Sequence, residues 1–206
     1  ASCELVVPNL SGQHHAQGKL ILKAGSSLKY NHYHAWGREN QVSTDYEFHL
    51  GVGSRLEYDF YSQHSPAEMD LNTELYLAEQ AQAQIKIAIE ADQTSFNLQE
   101  KFYLQGEGAD AVSRLRLVGR KDSKIKADSQ LIAEAAGKGH LDCQGLNLSP
   151  TAELELIPSL LDQHPGAELT HEAAVGKIAP EKLHYLRSRG LTEEEAINLI
   201  VTGFLG

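Results

Sequence analysis

Cysteine is scarce in this chain: Cys3 and Cys143 are the two thiols among 206 residues. A disulfide framework would need more of them in so long a chain. No C-x-x-C is present for zinc or redox chemistry. A reducing cytoplasm with free thiols is the simplest compartment for such a composition. Proline and glycine, at 6 and 17, are too few for a collagen-like or low-complexity chain. Basic residues also fall short, with 18 Lys and Arg against 28 Asp and Glu and a net charge of −10. That balance argues against nucleic acid, whose binding rests on Lys and Arg neutralising phosphates. It argues equally against an anionic membrane surface. No run approaches the roughly 20 apolar residues that cross a bilayer, and no basic-then-apolar start marks a secretory leader. The chain opens at Ala1, which suggests a processed chain or a fragment.

What the chain does have is alternation. From about residue 18 to 157, apolar residues recur at every second position, as in Tyr46, Phe48, Leu50 and Val52, or Ile85, Ile87 and Ile89. A period of two means strands with one buried face. Glycines and small polar residues punctuate them. Gly25-Ser-Ser-Leu-Lys-Tyr30 echoes Gly53-Ser-Arg-Leu-Glu-Tyr58, with weaker copies at Gln82–Ile87 and Asp122–Ala127. A repeat of some tens of residues fits a solenoid, in which each coil buries its apolar face against the next. A β-sandwich or a double-stranded β-helix fits the same strands, and periodicity does not choose between them.

The period changes near residue 178. Pro180 suits a first helical position, and Leu183 and Leu186 follow at helical spacing. Gly190 reads as a C-terminal stop. Thr192 and Glu195 have capping-box spacing. Ala196, Ile197, Ile200, Val201 and Phe204 then form an apolar stripe. The expectation is a helical hairpin closing the chain, with its stripe either capping the last strands or docking a partner. The division predicted is a β-helix core over 1–177 and a helical segment over 178–206.

Three stretches could carry chemistry. In Gly139-His-Leu-Asp-Cys-Gln-Gly-Leu-Asn-Leu-Ser149, alternation turns Cys143 inward with Leu141 and puts His140 on the opposite face. Cys143 is either a small buried apolar residue or a metal or sulfur ligand, which needs a metal or cation to hold the thiolate. In Glu168–Gly176, adjacent His171 and Glu172 face opposite ways if the segment is extended. In Asn31–Glu39, His32 and His34 share a strand face and Glu39 trails them, close to the first metal motif of cupins. A cupin-like metal-dependent enzyme is therefore the alternative reading, although no second motif supplies a third histidine.

Taken together, the segments over Gly137–Phe204 resemble the SufB/SufD family of iron–sulfur cluster assembly scaffolds. The Gly139–Leu148 stretch resembles the one holding the essential SufB cysteine. Leu169–Ile178 resembles the segment with the family histidine, and Glu172 after it leans the chain towards SufB. Leu183–Ile197 is similar to the C-terminal helices that bind the ATPase SufC. The resemblance implies a right-handed parallel β-helix with a C-terminal α-helical hairpin, and a scaffold rather than an enzyme. It implies Cys143 as sulfur acceptor and cluster ligand, Glu172 as co-ligand and His171 as an interface histidine. A transient, nascent iron–sulfur cluster is the implied cargo. The implied partners are a SufC-type ABC ATPase, a sulfur donor protein, and a second copy or a SufB/SufD paralogue. Leu183, Tyr185, Leu186, Ile197, Ile200 and Val201 are the implied ATPase-docking residues.

Overall fold

A computed structural model describes residues 12–206; Cys3 lies outside the described residues. Twelve strands run in order: β1 (Gln13–Leu22), β2 (Ser27–Ala35), β3 (Gln41–Leu50), β4 (Arg55–His64), β5 (Glu68–Leu77) and β6 (Gln82–Ala91), then β7 (Ser95–Leu104), β8 (Ala109–Gly119), β9 (Lys124–Ala133), β10 (Gly137–Asn147), β11 (Glu153–Asp162) and β12 (Glu168–Gly176). Odd strands form one six-stranded sheet and even strands another. Every pairing is parallel. Gln41 pairs with Glu68, and Lys138 with Glu168, so one coil takes 27 to 30 residues. The chain is thus a parallel β-solenoid of about six coils, as the repeats and the resemblance led one to expect. Parallel strands also set aside the antiparallel sandwich and the cupin-type barrel.

The alternation read in the sequence is the wall of this solenoid. Inward residues stack coil on coil: Phe48, Leu75, Phe102 and Leu131 lie in register across the odd sheet. Phe60, Ile87, Leu115 and Cys143 do so across the even sheet. All eight are at most 1% exposed. Hiding one such aromatic or aliphatic side chain is worth about 1.5–3 kcal/mol, and a coil alone cannot provide it.

The turns stack too. Gly25, Gly53 and Gly108 have φ of +68°, +62° and +71°, and Gln80 holds the equivalent place at 53°. The Gly25 N–H donates to the Val52 carbonyl, Gly53 to Glu79, Gln80 to Glu107 and Gly108 to Ala136, so the ladder continues through the turn. Left-handed backbone is open to glycine without penalty. The structure refines the repeat. The copies at Gly25 and Gly53 stand one coil apart, since Ser27 pairs with Arg55. Gln82 pairs with Arg55 rather than Gly53, and the Asp122 copy leads into the other sheet.

Helices α1 (Pro180–Ser188) and α2 (Glu193–Leu205) close the chain. Pro180 opens α1, and Thr192 and Glu195 form the capping box on α2. Val201 and Leu205 pack with Ala88, Val118 and Leu146 on the outer face of the even sheet. No helix among the described residues is long and apolar enough to cross a membrane.

Candidate functional site

Cys143 sits on β10, next to the last strand of the even sheet. Its neighbours in register are Leu115 on β8 and Ala173 on β12. The alternation turns it inward, and it is a free thiol with 1% exposure. Burial pushes the thiol up to about 12, with the charges of Glu100 and Asp142 adding to that and a Ser129 hydrogen bond opposing it. Such a group stays protonated unless a metal or cation takes the proton's place.

The companion beneath it was not singled out from the sequence. Glu100 points into the core from β7 and is fully buried. Its carboxyl accepts from Ser113 Oγ at 3.0 Å and Ser129 Oγ at 2.8 Å. Burial raises it to about 7, against the two serine bonds. The signal was present: Phe96, Leu98, Glu100, Phe102 and Leu104 alternate, so Glu100 falls on the inward face of an apolar strand.

His171 pairs with Leu141 and Glu172 with Asp142. His171 therefore shares the inward side with Cys143. Because β12 ends the sheet, that side is uncovered and His171 is exposed. Glu172 lies on the outer side, with its carboxylate 3.9 Å from His140 Nε2. His140 also contacts Thr170 Oγ1 at 2.8 Å through Nδ1. Beside them, burial would raise the Asp142 carboxyl, but the hydrogen bond and charge of Arg116 outweigh it and hold it low. Cys143 and Glu172 thus sit on opposite faces of one sheet, and a single chain does not bring them together. Among the described residues, no group of three or more His, Cys, Asp or Glu side chains could hold a metal ion.

The alternative triad does not assemble either. His32 and His34 do share the inward face of β2, as expected, but aromatic rings enclose them. His34 stacks on Trp36 at 4.7 Å, and His32 meets Phe60 edge-on at 5.6 Å. Burial lowers both imidazoles, His34 to about 4 with help from the His32 charge. Glu39 is exposed in the turn beyond the strand.

On the hairpin, Tyr185 is 58% exposed. With Glu181, Lys182, Leu186 and Ile200 it lines a shallow cavity of about 370 Å³. Leu183 and Ile197 are half-buried. Val201, expected among the docking residues, is instead 3% exposed and faces the even sheet. It holds α2 in place, because a helix lying on a sheet must spend one side of its apolar stripe on that sheet.

The family model described as "SUF system FeS cluster assembly, SufBD core domain" matches residues 131–204. An iron-sulfur cluster assembly SufBD family protein of Archaeoglobus fulgidus is 32% identical over 203 residues, covering 96% of this chain and 54% of the relative. One from Methanothermobacter thermautotrophicus is 32% identical over 200 residues, covering 95% and 48%. The iron-sulfur cluster assembly protein SufB of Bacillus subtilis is 38% identical over 73 residues, covering 35% and 16%. The chain spans about half the length of the long-aligned relatives. The core-domain match contains Cys143, His171, Glu172 and nearly all of the hairpin, and by that match and these relatives the chain belongs to the SufB/SufD family.

Proposed function

We propose that this chain is a scaffold subunit for iron–sulfur cluster assembly, on which a nascent cluster forms at a subunit interface. The reading is supported by family membership and by one geometric observation. Cys143 lies one strand from the open end of the solenoid, on the same inward side as the exposed His171. Iron arriving there replaces the proton of a thiol that burial otherwise keeps neutral.

A second copy or a SufB/SufD paralogue meeting the ends of β11 and β12 supplies the remaining ligands. Glu172 joins them after local rearrangement of the edge strand, and its place after His171 favours a SufB-like role. Half-buried Leu156, Leu160 and Leu169 and the 49% exposed Val175 give that end an apolar lining suited to a partner. A sulfur donor protein delivers sulfur to Cys143. A SufC-type ABC ATPase docks on the outer side of the hairpin at Tyr185, Leu186 and Ile200, and supplies the conformational work. The compartment is the cytoplasm, where thiols stay reduced.

The test is anaerobic binding of iron and sulfide by the intact chain together with its partner subunit and ATPase. Cluster absorbance that disappears in Cys143→Ser and persists in His32→Ala is expected. Unchanged absorbance in Cys143→Ser would overturn the assignment.

A further inference from the structure

Where the even strands end, their turns and α2 border a cavity of about 410 Å³ that cluster assembly does not use. Arg38 comes from the turn after β2, Ser65 from the turn after β4, Glu90 and Asp92 from the end of β6, and Arg120 from just past β8. Asn198 and Thr202 of α2 line it as well. The four strands are consecutive in the even sheet, so the groove runs roughly 14 Å at about 4.8 Å per strand. Its volume lies within the roughly 300–1,000 Å³ of small-molecule sites.

The charges in this groove come as opposed pairs. Arg120 Nε bonds the Glu90 carboxylate, and Arg120 Nη2 donates to Asn198 Oδ1 at 2.9 Å, so Arg120 spans from the solenoid to α2. Ser65 Oγ donates to the Glu90 backbone carbonyl at 2.8 Å and fixes that strand end. Arg38 reaches across two coils to Asp92 at 3.0 Å and to Gln93. The Arg120–Glu90 pair is enclosed, with side chains 27% and 16% exposed, whereas Arg38 and Asp92 are open, at 68% and 37%. A guanidinium has five N–H donors and a carboxylate about four acceptor sites. Among the described residues Arg120 and Glu90 spend few of theirs, so the enclosed pair keeps capacity for a ligand.

We propose that this groove binds a free α-amino acid. A lone anion there meets Glu90 and Asp92, and a lone cation meets Arg38 and Arg120, so a ligand of one sign gains little. An α-amino acid carries a carboxylate and an ammonium on one carbon. A touching arginine–glutamate pair presents the complementary charges side by side. The α-carboxylate takes the remaining N–H groups of Arg120, and the α-ammonium takes the second oxygen of Glu90. The side chain lies along the groove towards Trp36 and Arg38, which line its far end. The enclosed pair is the anchor, because less water screens its charges than those of the open pair. Such an occupant touches the solenoid and α2 at once, so it also fastens the hairpin. Cys143 takes no part, and the inference does not depend on the cluster reading.

Isothermal titration calorimetry of the intact chain with each protein amino acid in turn tests the proposal. At least one binds with a dissociation constant of about 1 mM or tighter. That amino acid raises the melting temperature and slows amide exchange in α2. Its N-acetyl amide, which lacks both α charges, does not bind. Arg120→Gln and Glu90→Gln each weaken binding by about tenfold or more. Thr202→Trp keeps both charge pairs, narrows the groove from an exposed helix position and weakens binding as much. Circular dichroism of the three variants confirms the fold. No binding of any amino acid to the wild type overturns the proposal. So does binding that all three variants leave unchanged. Acetate or methylammonium binding as tightly as the amino acid shows a site for one sign of charge, and overturns it too.

Discussion

Ser129 on β9 donates its hydroxyl to the buried carboxyl of Glu100 on β7 at 2.8 Å, and the same serine bonds the thiol of Cys143. Glu100 and Cys143, two of the ionisable groups of the inner wall, therefore share one neutral bridge. Neither has a cation inside the solenoid among the described residues, so burial raises both, Glu100 to about 7 and Cys143 to about 12. Their behaviour follows from that.

Glu100 makes the fold less stable as pH rises. Its ordinary value is 4.5, and in the folded chain it is about 7. Below 4.5 the carboxyl is neutral in both states. Between the two values the unfolded chain loses the proton while the folded chain keeps it, so stability falls with pH and levels off above about 7. The total is about 3 kcal/mol. Glu100→Gln should remove this component, and the difference between the denaturation curves of the two proteins at pH 5 and pH 8 measures it. Parallel curves would show that Glu100 does not titrate in this way.

Cys143 should resist alkylation in the native chain. With its thiol raised to about 12, the thiolate at pH 8 is rarer than in an ordinary cysteine, by roughly a thousandfold for an unperturbed value near 8.5. In a Cys3→Ser background, where Cys143 alone reports, iodoacetamide labelling should be slow when folded and fast in denaturant. Comparable rates would mean that the thiol is activated without a metal.

The turn at Gly106 has no room for a side chain. A Cβ there would lie 1.9 Å from the Glu79 backbone nitrogen in the coil below. The obstacle is backbone, so the coils would have to separate. Gly106→Ala should destabilise by about 3 kcal/mol or more, read as a shift in the urea midpoint. A shift under about 1 kcal/mol would show that the stacked turns are loose.

On the proposed function the hairpin packs on the even sheet with one side and docks an ATPase with the other, and two substitutions separate them. Val201→Ala leaves a cavity under α2 and should cost about 1–2 kcal/mol. Tyr185→Ala should leave stability within about 0.5 kcal/mol and weaken binding of the ATPase. Thr192→Ala, which removes the capping box, should cost about 1 kcal/mol and speed amide exchange in the first turn of α2. Equal ATPase affinity for wild type and Tyr185→Ala would move the docking site elsewhere.

Strand positions were legible because solvent is excluded from alternate residues, and that leaves a period of two in Phe96, Leu98, Phe102 and Leu104. The hairpin was legible because caps are local: Pro180, Gly190, Thr192 and Glu195 act on backbone groups within a turn of themselves. The inward turn of Cys143 followed from the same alternation. The repeat was readable only approximately, because Gln80 takes a left-handed turn without being a glycine.

By itself, then, the sequence determined which residues face in, where the helices begin and end, and the family, since each depends on neighbours along the chain. Only the tertiary structure decided that Glu100 meets Ser113 and Ser129, that Cys143 and Glu172 stand on opposite faces, that Val201 is spent on the even sheet, and that Arg120 joins Glu90 to Asn198. Those relationships depend on the register between coils 27 to 30 residues apart. Register is set by the summed stacking of many side chains and by turns such as Gly106, and no local stretch of residues encodes it.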